Sequence, residues 1–350
     1  MRAHNRFMRF AILACLAAAL LFGASAPLAK ILLGSMGPLT LAGLLYLGAA
    51  LAVAPFSRRG GSAELRRDPG QRGRLLAIVL LGGVLGPVFL LLGLRAAPAA
   101  SVSLWLNGEI VATVALAWAF FHDHVGRRAI AAAALILIAG ILLALPDGHA
   151  SARAGLFVAI ACLCWGMDNN LTSVVSGFTP AQTTLVKGTI AGVANLLLGV
   201  VVEHRLPAPV SIATALALGA VAYGLSIMLY ITGAQQLGAS RAQLLFATGP
   251  FLGMVLSWGL LHEPVEPIQL AATPLMALGL SLLLTGRHEH DHVHARVAHT
   301  HRHQHDDGHH MHTGPGHPTS GWHTHAHVHE ATAHAHPHVP DLHHRHGHPG

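Results

Sequence analysis

The chain has 350 residues, of which 53% are hydrophobic and 10% are charged, and its formal net charge is +6. Soluble globular proteins have about 25% charged residues, so this composition excludes a water-soluble body and predicts a lipid environment. Of the 29 histidines, 23 lie between His288 and His348, so an apolar body meets a polar tail at Arg287. The basic excess does not indicate nucleic acid as a partner, because six of the 21 Lys and Arg fall in residues 58–74, as in a cytoplasmic loop.

Ten apolar segments, taken in chain order, have the roughly 17 to 25 residues that a helix needs to cross a bilayer. They cover residues 11–33, 39–55, 75–94, 100–121, 128–145, 156–174, 182–202, 212–234, 239–261 and 268–285. Gly and Pro separate them, which indicates short connections between antiparallel neighbours. The sequence therefore predicts an all-α polytopic membrane protein with ten transmembrane helices and a disordered C-terminal tail.

The distribution of Lys and Arg predicts the orientation. With a cytoplasmic N-terminus, 13 of these residues up to Arg287 fall on the inner side and four on the outer side, so both termini are predicted to be cytoplasmic. Basic residues 2–9 and small residues 23–26 also fit a cleaved signal peptide. We keep the first segment as a helix because an internal repeat requires it.

That repeat divides the body into two halves. A shift of 140 residues aligns residues 93–125 with residues 233–265, and a shift of 143 aligns Phe22 with Trp165. Because each half has five helices, the second half enters the membrane the other way up, an arrangement typical of secondary transporters. The predicted domains are residues 1–147, residues 148–286 and the tail of residues 287–350.

Glu109 lies near the middle of the fourth segment, where an ionisable side chain is costly and therefore a functional candidate. Ser101, Trp105 and Thr113 stand at helical spacing from it, and Asn107 is close in sequence. A carboxyl at this depth suits either proton coupling or a permanently protonated structural role.

Asp168 and Lys187 are the other ionisable groups within the predicted spans. If the sixth and seventh helices turn near Gly177, the two residues lie at the same depth on neighbouring helices. They form either a structural ion pair or part of a substrate or coupling site. We expect the following residues to line a central cavity: Trp105, Asn107, Glu109, Asp168, Asn169, Lys187 and Asn195.

Histidine alternates with short residues in the tail. Imidazoles at such density suit Zn, Ni or Co, although the irregular spacing defines no selective geometry. The candidate metal ligands are His288, His290, His292, His294, His299, His301, His303, His305, His323, His325, His327 and His329. The tail is a metal buffer or sensor, a pH-responsive tether, or an appendage without function.

The body resembles the EamA-like transporters of the drug/metabolite transporter superfamily. The resemblance rests on the five-plus-five repeat, on GPLTLA at residues 37–42, and on AWAFFHDHVGRR and SWGLLHEPVEP at the ends of the fourth and ninth segments. It covers about residues 11–285 and implies an inner-membrane carrier or exporter of small metabolites with a central site. LNGE at residues 106–109, CWGMDNNLT at residues 164–172 and the His-rich tail resemble one branch of the family.

Several residues depart from the family pattern. Leu45 replaces a common Arg, whereas the repeat places Lys187 at the matching point of the seventh helix. Glu109 lies in the Asn-Gly-Glu stretch that replaces a common Pro, and Asp123 replaces a Glu that Glu263 retains. Because these changes fall on the implied cavity, the resemblance does not specify the substrate.

The first functional hypothesis is a secondary transporter that exports a small organic metabolite and needs no cofactor. The alternatives are a divalent-metal transporter or metal-tolerance protein whose tail binds Zn, Ni or Co, and a membrane anchor that presents a metal-buffering tail. The sequence has no nucleotide-binding loop, nucleophile elbow or HExxH motif, so it predicts neither an enzyme nor an ATP-driven pump. Substrate, direction, coupling ion and oligomeric state stay open.

Overall fold

The computed structural model of the chain forms two compact units, Met1–Gly286 and Arg287–Gly350. It describes residues 2–57, 69–121, 125–145, 149–173, 175, 179–204, 207–237, 242, 245–284, 288–294, 297–303, 323–329 and 332–338. The described part of the first unit is helical, whereas the described part of the second consists of strands.

Besides a 3₁₀ helix at Ala54–Phe56, fourteen α-helices and two short π-helical segments build the first unit in its described residues. They are α1 (Arg2–Gly23), α2 (Ser25–Leu32), α3 (Pro38–Val53), α4 (Pro69–Ile78), π1 (Val79–Leu85), α5 (Gly86–Ala96), α6 (Ala99–Trp105), α7 (Gly108–Phe121), α8 (Arg127–Leu143), α9 (His149–Ser173), α10 (Pro180–Glu203), α11 (Pro209–Leu218), π2 (Gly219–Leu225), α12 (Ser226–Leu237), α13 (Gly249–Leu261) and α14 (Pro267–Leu284).

Consecutive helices combine into seven stretches long and apolar enough to cross a membrane. They are Arg9–Leu32, Pro38–Phe56, Gly70–Ala96, Ala99–Phe120, Ser151–Thr172, Pro180–Glu203 and Pro209–Gly233. These stretches match seven of the ten predicted segments. The other three correspond to the shorter helices α8, α13 and α14.

Proline and polar caps set the starts of several helices. Pro38, Pro180 and Pro209 occupy the first turn, where a missing N–H costs nothing. Thr179 also accepts from the backbone N–H of Gln182, whose side chain accepts from the Thr179 backbone N–H. Local sequence therefore explains why α3, α10 and α11 begin where they do.

The two halves of the unit share two irregularities. Segment π2 begins 140 residues after π1, and each lies within a longer helical stretch. A two-residue turn at Leu106–Asn107 separates α6 from α7, and a similar turn at Ala247–Thr248 precedes α13, 141 residues later. Such breaks in spanning helices free backbone groups that can take part in a site.

Glycines allow α3 and α10 to pack closely. A Cβ added to Gly43 would lie 2.6 Å from the backbone nitrogen of Leu196, and one added to Gly192 would lie 2.9 Å from that of Leu47. Small residues at helix interfaces let backbones approach within a membrane, where dispersion contacts hold helices together. This pair fixes one side of the site described below.

Two glutamates cap helices at the same end of the unit, which we call the clamp end. The carboxylate of Glu203 accepts from the backbone N–H of Leu39 at 2.7 Å and from the hydroxyl of Thr40 at 2.6 Å. Glu263 accepts from the backbone N–H groups of Ala99 and Ala100 at 2.7 and 2.9 Å. Negative charge at a helix N-terminus satisfies orphan N–H groups and complements the helix dipole.

At the clamp end, the ammonium group of Lys30 donates to the carbonyl oxygens of Leu94 and Ala97. It also interacts electrostatically with Glu263. A cation therefore caps the end of α5 beside the anion that caps the start of α6. These contacts hold α2 against the end of α5 at the clamp end.

Glu203→Gln is expected to lower the free energy of unfolding by about 1 to 2 kcal/mol, because neutral oxygens make weaker bonds to a helix N-terminus. Thermal unfolding of the purified protein in detergent would measure this loss. Glu266→Gln is the matched control, since Glu266 is an exposed carboxylate near the same end. Equal melting temperatures for both variants would show that the cap does not stabilise α3.

The second unit contains four strands in its described residues, β1 (His288–His294), β2 (Val297–His303), β3 (His323–His329) and β4 (Thr332–His338). Strand β1 pairs with β4 and β2 with β3, both antiparallel. The prediction that residues 287–350 form a disordered tail stays a prediction. Histidine takes every second position in these strands, as in HEHDHVH of β1 and HTHAHVH of β3, and a period of two favours a strand.

The strand register makes histidines cross-strand partners. The pairs are His288 with His338, His290 with His336, His292 with His334, His299 with His327, His301 with His325 and His303 with His323. His305 lies outside the described residues. The predicted ligands of β1 and β2 thus alternate regularly along paired strands.

Candidate functional site

An ion pair joins α9 to α10 inside the first unit. The ammonium group of Lys187 donates to Oδ2 of Asp168 at 2.6 Å, and the two side chains are 19% and 5% exposed. The hydroxyl of Thr172, one helical turn further along α9, donates to Oδ1 of Asp168 at 3.3 Å. The structure thus brings together the two charges that sequence spacing places at one depth.

Segment π1 packs directly against this ion pair. A Cβ at Gly82 would lie 2.1 Å from Oδ2 of Asp168, and one at Gly83 would lie 3.0 Å from Cγ of Lys187. No side chain fits at Gly82 without moving α9. Glycine is therefore required there for close approach.

The carbonyl groups of π1 accept from three neighbouring helices. The hydroxyl of Tyr46 donates to the carbonyl oxygen of Gly82 at 2.5 Å, and Nε1 of Trp165 donates to the same oxygen at 3.0 Å. Nδ2 of Asn195 donates to the carbonyl oxygen of Gly83 at 3.2 Å. Pro87 stands four residues after Gly83 and has no N–H, so an α-helix would leave this carbonyl without a donor.

A second polar group connects α7 with α9. Nδ2 of Asn169 donates to Oε1 of Glu109 at 2.9 Å and lies 3.4 Å from Oγ1 of Thr113. Nδ2 of Asn170 donates to the backbone oxygen of Thr113 at 2.9 Å. Asn169 is exposed and Glu109 is half-buried, so this polar group is accessible from one side.

The structure does not bring Trp105 to this group. Nε1 of Trp105 donates to the carbonyl oxygen of Gly140 in α8, at 2.9 Å. Ser101, expected on the same face, accepts from Gln269 of α14. The expected stripe assumed one continuous helix, whereas the turn at Leu106–Asn107 interrupts the register between α6 and α7.

Asn107 lies within that turn and is buried. Its Nδ2 donates to the carbonyl oxygen of Leu104 at 2.9 Å and lies 3.7 Å from the sulfur of Met276. Its Oδ1 has no hydrogen-bond partner among the described residues. Asn107 therefore faces α14 and is separate from the contacts of Glu109.

Aromatic side chains that sequence reasoning did not assign to the site lie near these charges. The ring centroids of Tyr46 and Tyr223 are 6.0 Å apart, those of Phe22 and Tyr223 are 6.1 Å apart, and those of Phe22 and Phe246 are 5.3 Å apart. Tyr46 donates to the carbonyl oxygen of Gly82, which also accepts from Trp165, so this aromatic series lies beside π1. The repeat shift of 143 residues, which aligns Phe22 with Trp165, was the sequence signal that could have assigned Phe22 to the site. Phe22 contacts Tyr223 of π2, and Trp165 donates to Gly82 of π1, so each of the two residues contacts the π segment of the other half.

The site contains two carboxyl groups and one ammonium group among its described side chains. Asp168 is bound to the ammonium group of Lys187, whereas the carboxyl group of Glu109 accepts from the amide of Asn169. In the described part of the chain, the recorded salt bridge is the one between Lys187 and Asp168. The carboxyl group of Glu109 therefore lies apart from the ion pair and has a neutral hydrogen-bond partner.

The same described residues contain no group of three or more His, Cys, Asp and Glu side chains placed to hold a metal ion. The metal ligands expected in the tail remain a prediction.

Many large apolar side chains of the first unit are exposed, among them Leu13, Trp118, Phe120, Val201 and Leu270. Seven apolar stretches of spanning length carry such side chains, so the unit is a multi-pass membrane protein. Within it, charged and aromatic groups meet at an irregular helix segment, as in proteins that move solutes through membranes.

Comparison with known proteins identifies the family. The sequence profile of the EamA-like transporter family matches residues 9–145 and 152–285, and the chain belongs to this family. An "Uncharacterized transporter" of Methanothermobacter thermautotrophicus is 26% identical over 290 residues, covering 76% of this chain and 83% of its own. A protein of known crystal structure, 16% identical, superposes with a TM-score of 0.53 over 78% of this chain and 94% of its own and supports the fold alone. The chain is a membrane transporter.

Proposed function

We propose that this transporter exports a small organic metabolite across the inner membrane by alternating access, as a secondary transporter. The observation that carries the proposal is the contact of the Asp168–Lys187 ion pair with π1. Buried charges in membrane helices are costly, and a site that binds and releases a polar solute is a recurrent reason for them. The exposed amide of Asn169, bonded to Glu109, provides access from one side.

An arrangement of ten helices in two inverted repeats supports this mechanism. The family profile matches the chain twice, and π1 and π2 begin 140 residues apart. Helix turns 141 residues apart precede α7 and α13. Paired irregularities of this kind occur where two repeats enclose a site and rock about it.

We further propose that both termini are cytoplasmic and that the clamp end faces outward. This assignment rests on the excess of Lys and Arg on the opposite side. With this orientation the caps of Glu203 and Glu263 hold the outer ends of helices together. We expect these capping contacts to break when the transporter opens toward the outside.

Metabolite profiling of the culture medium tests the proposed export. Cells that produce the wild-type chain should accumulate at least one small organic solute in the medium, about tenfold or more above cells that produce Glu109→Gln, because the variant lacks the carboxyl group that Asn169 binds. Glu266→Gln, which changes an exposed carboxylate outside the site, should match the wild type. Membrane levels of all three proteins are compared by immunoblot. Identical media for wild type and Glu109→Gln would contradict the proposed role of the site.

We also propose that the tail binds Zn, Ni or Co, independently of transport. The observation in favour is the register of cross-strand histidine partners, which brings imidazole-bearing residues into neighbouring positions. Growth of strains with a deleted gene or a truncated tail, measured across Zn, Ni and Co concentrations, would distinguish metal binding by the tail from metal transport by the helices. A metal phenotype in both strains indicates a tail function, one in the deletion alone indicates metal transport by the helices, and none in either contradicts both.

A further inference from the structure

We infer that π2 is the hinge of the transport cycle, with a backbone that alternates between π and α winding while π1 stays fixed. This inference rests on the proposed alternating access and identifies the element that moves. The repeat matches the two π segments, so the differences in their sequence and packing indicate which of them is free to change.

A hydrogen bond that spans five residues closes each π segment. In π1 the backbone N–H of Gly86 donates to the carbonyl oxygen of Leu81. In π2 the backbone N–H of Ser226 donates to the carbonyl oxygen of Val221. Rewinding such a turn as an α-helix shifts the hydrogen-bond register by one residue, which rotates the helix that follows by about 100° and moves it by about 1.5 Å. Helix shifts of about 1 to 2 Å are among the movements that switch proteins between two states.

Pro87 follows the closing bond of π1 and removes an N–H that either winding would use. A backbone N–H at this position would donate to the carbonyl oxygen of Gly82 in π winding and to that of Gly83 in α winding, but proline has none. Three other helices supply side-chain donors instead, which are Tyr46 and Trp165 at Gly82 and Asn195 at Gly83. Rewinding π1 would gain no backbone hydrogen bond and would displace these donors, so π1 is fixed.

Ile227 takes the place of Pro87 in π2, because the repeat shift is 140 residues. Its N–H can donate to the carbonyl oxygen of Ala222 in π winding or to that of Tyr223 in α winding. Among the described residues, the side-chain hydrogen bonds recorded to carbonyls of a π segment all go to π1. Rewinding π2 therefore exchanges one backbone hydrogen bond for another and leaves no side-chain donor behind.

The helices that flank the two segments also pack differently. Helices α4 and α5, on either side of π1, both pack against α9. Helix α11 packs mainly against α3, where Gly48 lies against the backbone of Leu216. Helix α12 packs against α1 instead, where Gly233 lies against Cys15. A change in π2 therefore moves α12 together with α1 relative to α3, whereas a change in π1 would have to move two helices along one partner.

Tyr223 connects π2 to the site. Its ring centroid lies 6.0 Å from that of Tyr46, whose hydroxyl donates to Gly82 beside the ion pair. It also lies 6.1 Å from the ring of Phe22, near the point where α1 ends and α2 begins. Rewinding π2 turns Tyr223 relative to both rings, so the state of the hinge changes the packing beside π1.

Hydrogen exchange of the purified full-length chain in lipid nanodiscs tests the hinge without any substrate. Peptides that cover π2 should exchange their backbone N–H groups at least about tenfold faster than peptides that cover π1, because each rewinding breaks the hydrogen bonds of the turn. The two segments have seven residues each, and the rates are compared after correction for intrinsic exchange. Equal rates, or faster exchange of π1, would overturn the inference.

Ile227→Pro tests whether rewinding is needed for transport. The variant copies Pro87 into π2 and excludes α winding, because proline lacks the N–H and its ring clashes with the carbonyl four residues earlier. Exchange of π2 should fall to within about threefold of π1. Release of the solutes found in the medium of wild-type cells should fall at least about tenfold. The melting temperature should fall by no more than about 4 °C, since π1 accommodates a proline at the matching position.

Ile227→Ala is the matched control, because it shortens the same side chain and keeps the N–H. It should exchange and export like the wild type. A folded Ile227→Pro protein that exports as well as Ile227→Ala would overturn the inference. If Ile227→Pro does not fold, the comparison of π1 with π2 in the wild type decides.

These outcomes separate the hinge from the export proposal. Equal exchange of π1 and π2, together with solute release that depends on Glu109, would remove the hinge and leave the transporter proposal standing. Faster exchange of π2 that Ile227→Pro abolishes, without any solute whose release depends on Glu109, would support the hinge and contradict the proposed role of the site.

Discussion

Replacing Lys187 with methionine is expected to lower the free energy of unfolding by about 3 to 5 kcal/mol. Asp168 is 5% exposed and bound to Lys187 at 2.6 Å, so the variant leaves a carboxylate buried without its counterion. The one hydroxyl that remains, from Thr172, is 3.3 Å away and cannot replace an ammonium group. Thermal unfolding in detergent, followed with a dye that reacts with thiols, measures the loss, because Cys15, Cys162 and Cys164 are buried free thiols.

The double variant Asp168→Asn, Lys187→Met is the control for this prediction. Replacing both members of a buried ion pair by neutral groups is often close to neutral, because both desolvation costs disappear together. We expect its stability to lie within about 1 kcal/mol of wild type. If Lys187→Met alone unfolds like the wild type, the ion pair does not stabilise the contact between α9 and α10.

Replacing Gly82 with alanine is expected to destabilise the protein by about 1 to 3 kcal/mol and to abolish transport. The new Cβ would lie 2.1 Å from Oδ2 of Asp168 and 2.8 Å from its Cβ, so the displacement must extend to the backbone of α9. Such a shift separates Asp168 from Lys187 and moves Trp165 away from the carbonyl oxygen of Gly82. Unfolding and export assays on the same preparation measure both effects.

Gly259→Ala in α13 is the matched substitution, because nothing lies within 4 Å of a Cβ added there. We expect it to be neutral or slightly stabilising, since alanine favours a helix over glycine by about 0.5 to 1 kcal/mol. Equal behaviour of the two alanine variants would show that π1 can move away from α9 without cost. The requirement for glycine in π1 would then be wrong.

The helices of the first unit were predictable because hydropathy and proline punctuation are local signals. Pro38, Pro180 and Pro209 begin helices as expected, and seven predicted segments have the length of a span. The π segments were not predictable, because they depend on donors from other helices, as with Tyr46 and Trp165 at Gly82.

The contact between Asp168 and Lys187 was predictable because it depends only on the depth of the two residues within the membrane. Counting residues from a turn placed Asp168 beside Lys187, and the ion pair follows from that count. The position of Trp105 could not be predicted, because the turn before α7 changes which neighbour it contacts. Glu203 and Glu263 were missed as caps because a carboxylate after a helix end looks like an ordinary loop charge.

Efflux from sealed proteoliposomes tests the central claim most directly, because no other cellular protein is present. Vesicles that contain the purified full-length chain would be loaded with the small-molecule fraction of a cell extract, and mass spectrometry would identify what leaves them. We predict that wild-type and Glu266→Gln vesicles release at least one organic solute that Glu109→Gln and protein-free vesicles retain. Release by wild-type vesicles no different from that of protein-free vesicles, or equal release by Glu109→Gln, would contradict a transporter whose site contains Glu109.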